Sequence, residues 1–256
     1  MRMAGLLEVC ADSVCSAVNA ARGGADRIEL CSALPLGGLS PDEDLFCMVR
    51  ERVDIPVRVL LRPRAGDFLY DEDEFELLCR QASRFAGLGA DGIVIGMLNP
   101  DGTLDTERMS ALMACGDGCG VTLHRAFDVC RDAHEALRTA KKLGVDTILT
   151  SGQQARCADG ALLLRELVSE SGEGLRILIG GGVNADVIRA LAPQTGADAF
   201  HLSAKAAVPS GMEFRRDNVP MGIPGLNEFE LLRCDAASVR AAREALDAVC
   251  TARKEN

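Results

Sequence analysis

Short apolar, β-branched runs recur along the chain with helical stretches between them. The runs predict strands near 5–11, 27–32, 57–63, 92–97, 120–127, 147–152, 176–182 and 199–204. The intervening stretches predict helices near 13–22, 42–52, 72–87, 105–115, 132–143, 159–170, 184–192 and 236–250. Strand starts lie about 20–35 residues apart, the length of a βα unit. Eight such units in 256 residues fit an α/β fold of one domain, a (β/α)8 TIM barrel.

An internal echo supports closure into a ring. Gly24-Ala25-Asp26, Gly89-Ala90-Asp91, Gly144-Val145-Asp146 and Gly196-Ala197-Asp198 each follow a predicted helix and precede an even-numbered strand. The glycine suits the left-handed position that ends a helix. An open doubly wound sheet is the rival architecture. It would carry a G-x-G-x-x-G turn after its first strand, where this chain reads Cys10-Ala11-Asp12-Ser13. The stretch 205–234 breaks the rhythm with Pro209, Gly211, Pro220, Gly222, Pro224 and Gly225, and predicts a long irregular loop. Such a loop serves as a lid or functional element, or as an interface arm.

Composition narrows the function. Hydrophobic residues make up 48% of the chain and aromatics only 4%, with no Trp, so the core is aliphatic and stacking on bases is not expected. The net charge of −10 argues against a nucleic-acid partner. No run is long enough to span a membrane and no secretory leader is evident, so reduced thiols in the cytoplasm are expected for the 11 cysteines.

In a barrel the chemistry sits where strands end and the following loops begin. Alternation puts Glu8 with Cys10, and Glu29 with Cys31, on one face each. The two E-x-C units are expected at the same level on adjacent strands. Arg62 and Arg64 at the end of the third strand are the expected partners of the glutamates. His124 with Asp128, and His201 with Ser203 and Lys205, are expected to join them at one rim. Each residue also has a structural explanation: salt bridges for the glutamates and arginines, inert core packing for the cysteines, and satisfied hydrogen bonds for the histidines.

Two chemistries follow. Cysteines just before helix N-termini are expected to have thiolate character, and thiolates suit Cu(I), so Cys10 and Cys31 form a candidate two-coordinate metal site, with Met212 or Met221 as lid ligands. Alternatively, Gly181, Gly182 and Ser203, with Arg62 assisting, hold a small phosphorylated or carboxylated metabolite. Ser151-Gly152 would add donors, and Glu29 and His124 are then the candidate acid and base.

These residues lie in a series of motifs. E-x-C-x-D-S at 8–13, GGADRIELC at 23–31, RPRAGDFLY at 62–70, HRAFD at 124–128, LTSG at 149–152, IGGGV at 179–183, FHLSA at 200–204 and SGMEFR at 210–215 follow in order. Together they resemble the copper homeostasis protein CutC family. The resemblance implies a cytoplasmic barrel, often a homo-oligomer, that handles copper, with ligands at the positions of Cys10 and Cys31. Ala65 and the pair Pro35-Leu36 depart from the family pattern and touch none of the candidate site residues.

Overall fold

The computed structural model describes residues 5–216, 218–219, 222–223 and 227–255. Eight parallel strands close into a ring in sequence order. They are β1 (Leu6–Ala11), β2 (Arg27–Leu30), β3 (Val57–Leu60), β4 (Gly92–Ile95), β5 (Gly120–Leu123), β6 (Thr147–Thr150), β7 (Arg176–Ile179) and β8 (Ala199–Leu202). The outer helices are α1 (Val14–Gly23), α2 (Glu43–Arg50), α3 (Glu72–Gly87), α4 (Thr106–Cys115), α5 (Ala133–Leu143), α6 (Ala161–Ser171), α7 (Ala185–Thr195) and α8 (Ala236–Glu255). The helices start where the sequence supplies an acceptor for the free amides of a first turn. Ser13, Asp42, Asp71, Asp105, Asp132 and Asn184 each accept a backbone N–H two or three residues on. Each such cap contributes about 1 kcal/mol.

The repeated Gly-x-Asp has a mechanical cause. Gly24, Gly89, Gly144 and Gly196 all hold positive φ, between 78° and 93°, and turn the chain out of the preceding helix. The aspartate then reaches back to the strand before. Asp26 accepts the Leu7 amide of β1 at 2.7 Å, Asp91 the Val57 amide of β3 at 2.8 Å, and Asp146 the Val121 amide of β5 at 2.7 Å. Each of these aspartates precedes an even strand and ties down its odd neighbour, which explains the two-unit period.

Alternation sorts the strand side chains. Leu7, Val9, Ile28, Leu30, Val57 and Val59 join the helices in the main apolar cluster. The other set faces the ring interior and is largely polar. Arg58 on β3 spans that interior to bond Thr122 on β5 and Asp146 before β6, both at 2.7 Å. Two apolar patches flank this polar layer, Cys31 with Leu60 and Val94, and Leu149 with Leu178 and Ala199.

Three expectations are corrected. Several strands end sooner than their apolar runs. β5 stops at Leu123 because His124 Nδ1 accepts the Ala126 amide at 3.1 Å and starts a 3-10 turn over Arg125–Val129. Strand alternation therefore does not reach Asp128. β8 stops at Leu202, and Ala204 takes a left-handed φ of 45°, so Lys205 does not continue the strand of His201. The stretch 205–234 is not irregular at its two ends. β9 (Lys205–Pro209) and β10 (Glu230–Cys234) pair antiparallel as a ribbon.

Candidate functional site

The two glutamates of the barrel meet different neighbours. Closing a ring of tilted strands staggers their register. Cys10 is therefore level with Glu29, and Glu8 is level with Arg27 on one side and His201 on the other. The E-x-C units are offset by two residues and do not sit at one level, which corrects the expectation from sequence. Arg62 and Arg64 are not the partners of the glutamates either. Arg27 Nε bonds Glu8 Oε2 at 2.5 Å, and His201 Nδ1 lies 2.8 Å from Glu8 Oε1. Arg62 donates to the carbonyls of Leu36, Gly38 and Gly66, and Arg64 pairs with Glu74.

This arrangement sets the charges. Burial opposes ionisation of Glu8, but the Arg27 guanidinium and the His201 hydrogen bond outweigh it and lower its pKa to about 2. Burial raises the carboxyl of Glu29 to about 7, against the pull of His201. Burial also disfavours the His201 cation. The side chains of Cys10, Glu29 and Glu8 overcome that and raise its pKa well above the ordinary value. A thiol, an imidazole and a carboxylate thus form a chain, Cys10 to His201 to Glu8, with Glu29 beside it. His124 differs: burial, with Arg62 adding repulsion, lowers its pKa to about 3, so its ring is neutral.

Cys10, Glu29, His124 and His201 line a cavity of about 280 Å³ at the C-terminal mouth of the barrel, with Glu8 and Arg27 beneath its wall residues. Cys10, Glu29, Arg62, His124, Gly181, Gly182 and Ser203 meet there as expected, joined by His201 and Lys205. Three buried polar atoms on residues of this wall have no protein partner: Glu29 Oε2, Arg62 Nε and His124 Nε2. Buried polar groups are nearly always satisfied, so orphans gathered at one cavity point to a ligand. A larger cavity, about 640 Å³, opens at the opposite end of the barrel. Two of its ion pairs close within the protein, Arg58 with Asp146 at 2.7 Å and Arg176 with Asp198 at 3.6 Å, and its wall holds one unpartnered buried atom, Arg27 Nη2, against three at the mouth, so the mouth is the better candidate.

Other expected members stand apart. Cys31 does not line the cavity. It is fully buried, its thiol donates to the Ala11 carbonyl at 3.5 Å, and burial pushes its pKa well above the ordinary value. The expected thiolate character is thereby corrected: desolvation outweighs any helix-end field. Asp128 binds Thr150 Oγ1 at 2.5 Å and the Ser151 amide at 3.0 Å, so it and Ser151 serve to join two loops. Met212 is exposed, and Met221 lies outside the described residues.

Two residues of the site went unforeseen. Phe68 packs its ring 4.8 Å from His124, with the Arg62 guanidinium 5.0 Å from its centroid, and so roofs the cavity. Arg27 stands two residues before Glu29, and the same alternation that placed Glu29 would have found it.

The donor set bears on metals. Donor atoms of Glu8, Glu29 and His201 lie within 4.8 Å of one another. Arg27 and a protonated His201 already supply the positive charge that Glu8 needs, so a hard cation fits this cluster poorly. Cys10 offers a soft donor in the cavity wall, with Cys31 on the adjacent strand behind it.

Among the described residues no helix is long and apolar enough to cross a membrane. The sequence profile of the CutC family matches residues 5–206. A family protein CutC from Chromobacterium violaceum is 40% identical over 242 residues, covering 94% of this chain and 98% of the relative. The human copper homeostasis protein cutC homolog is 43% identical over 237 residues, covering 92% of this chain and 86% of the relative. The crystal structure of CutC from Streptococcus agalactiae superposes with a TM-score of 0.74 at 27% identity, covering 78% of this chain and 98% of that one. A closed barrel with its polar groups gathered at one mouth, a profile match over most of the chain and relatives of 40% identity or more lead to one conclusion: this chain belongs to the CutC family, whose human member is named for copper homeostasis.

Proposed function

We propose that the chain handles copper in the cytoplasm by taking a cuprous ion at the barrel mouth, with Cys10 as the first ligand and Cys31 as the second. The observation that carries this reading is the place of Cys10. It lies in the cavity wall, close enough to His201 to raise the pKa of that ring, with the Cys31 strand beside it. Copper here is cargo. Soft thiolates prefer Cu(I) to harder ions. Capture begins at Cys10, and Cys31 completes the pair by giving up its bond to the Ala11 carbonyl. Self-association is part of the reading, through the exposed apolar side chains Val208, Met212, Phe214 and Leu231 of the ribbon region. Sedimentation at several concentrations tests it, and a monomer throughout removes it. For the metal, competition against a chromophoric Cu(I) chelator is the test. The double variant Cys10→Ser, Cys31→Ser is expected to lose the mouth ion. If it binds cuprous ion as wild type does, in number and in strength, the reading fails.

The orphaned atoms favour a second reading, an enzyme site for a small phosphorylated or carboxylated metabolite. Gly181, Gly182 and Ser203 would hold the anionic group, with Arg62 and Lys205 adding positive charge. Glu29, protonated near neutrality, and the neutral ring of His124 would exchange a proton with the substrate. Thermal-shift measurements with phosphate, sulfate and sugar phosphates test this. A rise in melting temperature supports it. No rise, together with no ordered anion in a sulfate-soaked crystal, overturns it.

A further inference from the structure

Helices α3 and α4 lie side by side and run in the same direction, and they are fixed to each other at both ends. At their starts, Arg108 of α4 donates to the Tyr70 carbonyl at 2.5 Å, pairs with Glu72, and lies 5.4 Å from the Phe75 ring of α3. At their ends, the Ser83 hydroxyl of α3 donates to the carbonyl of Cys115, the last residue of α4, at 3.1 Å. Leu78, Ala82 and Phe85 on one helix and Met109 and Leu112 on the other pin both to the core. Cys79 stands one turn before Ser83, on the same face of α3. The Ser83–Cys115 bond brings that face of α3 against the end of α4, so Cys79 and Cys115 are neighbours whose side chains interact across a fixed interface, and both residues are only partly buried. Cys119, a turn beyond, is engaged elsewhere, since its thiol donates to the Ala90 carbonyl at 3.4 Å.

We propose that Cys79 and Cys115 form a second cuprous site, on the outer wall of the barrel and separate from the mouth. Two S–H bonds break, two Cu–S bonds form, and both protons leave to solvent, with no change in the oxidation state of copper or sulfur. The product is a two-coordinate dithiolate, the arrangement that soft thiolates offer Cu(I). This pair needs less rearrangement than the mouth pair. Its cysteines are neighbours and partly exposed, whereas Cys31 is fully buried and bonded to a carbonyl. The proposal rests on different residues from those of the mouth and stands without them.

The test is an anaerobic titration of the full chain with Cu(I) against a chromophoric chelator, with ascorbate present. Four proteins are compared: wild type, Cys10→Ser with Cys31→Ser, Cys79→Ser with Cys115→Ser, and the single variant C115S. The outer-wall pair is expected to account for one tightly held equivalent, lost in C115S and in the Cys79, Cys115 double variant and retained when Cys10 and Cys31 are replaced. X-ray absorption on the mouth variant carrying one copper is expected to show two sulfur neighbours. In wild type, Cu(I) is expected to protect Cys79 and Cys115 from alkylation, read peptide by peptide, which needs no substitution. If the Cys79, Cys115 double variant binds as many ions as wild type, or if both cysteines alkylate equally with and without copper, the proposal is overturned. Failure of the mouth site leaves a different mark: an unchanged stoichiometry when Cys10 and Cys31 are replaced.

Discussion

His201 Nδ1 lies 2.8 Å from Glu8 Oε1, across the seam where the last strand of the ring meets the first. The bond joins residues 193 positions apart and puts one ionised carboxylate between two cations, Arg27 and His201. The charge states of both residues depend on it.

Glu8 is fully buried, so replacing it strands two charges with no water to receive them. Glu8→Gln is expected to lower the unfolding free energy by about 3–5 kcal/mol. Replacing Glu8 and Arg27 together with methionine is expected to restore part of that loss, because the orphaned guanidinium goes too. Urea unfolding of both variants measures the difference.

Stability should fall in two separate pH intervals. The folded carboxyl of Glu8 sits at about 2 against an ordinary 4.5, so its contribution is whole above 4.5 and is lost as pH falls towards 2. Glu29 acts in the opposite sense. Its folded value of about 7 means the native protein keeps a proton that the unfolded chain releases, so stability declines as pH rises from 4.5 through 7. Glu29→Gln is expected to abolish the second decline and leave the first. Urea midpoints collected across pH separate the two.

The loop after β5 is held to the end of β6 by one carboxylate. Asp128 accepts Thr150 Oγ1, the amides of Ser151 and Gln153, and a salt bridge from Arg125 at 2.7 Å. Its side chain is only 5% exposed. Asp128→Ala leaves those donors unpaired and is expected to cost about 2–3 kcal/mol. A lowered melting temperature with an intact far-ultraviolet spectrum is the expected result.

Two glycines shape the mouth. Gly181 has φ of 95°, and a Cβ there would sit 3.0 Å from the Ser151 Cβ. Gly181→Ala is expected to destabilise by about 1–2 kcal/mol. A Cβ at Gly96 would come within 2.6 Å of the His124 ring. Gly96→Ala is expected to displace that ring and weaken any thermal shift given by an anion bound at the mouth. An unchanged shift would separate His124 from ligand binding.

Much of the molecule was legible before folding. The βα period and the Gly-x-Asp echo are local signals, and each appears where the chain predicts it. The convergence of Cys10, Glu29, His124, Gly181, Gly182 and Ser203 on one opening was also legible, because alternation and strand order together decide which end of a ring a residue faces. The partners were not. Arg62 and Arg64 sit at a strand end and look like counter-ions, yet loop carbonyls and Glu74 claim them, while Arg27 takes Glu8.

The local pattern of this protein thus determined which face each strand residue occupies and where helices begin, since both depend on neighbours within a few positions. The level of each residue inside the ring was decided only by tertiary closure. The stagger between strands belongs to the ring as a whole, and it put Cys10 beside Glu29 and Glu8 beside His201. Burial followed from the same closure. It turned Cys31 from an expected thiolate into a sealed thiol and moved the pKa values of two chemically identical glutamates in opposite directions.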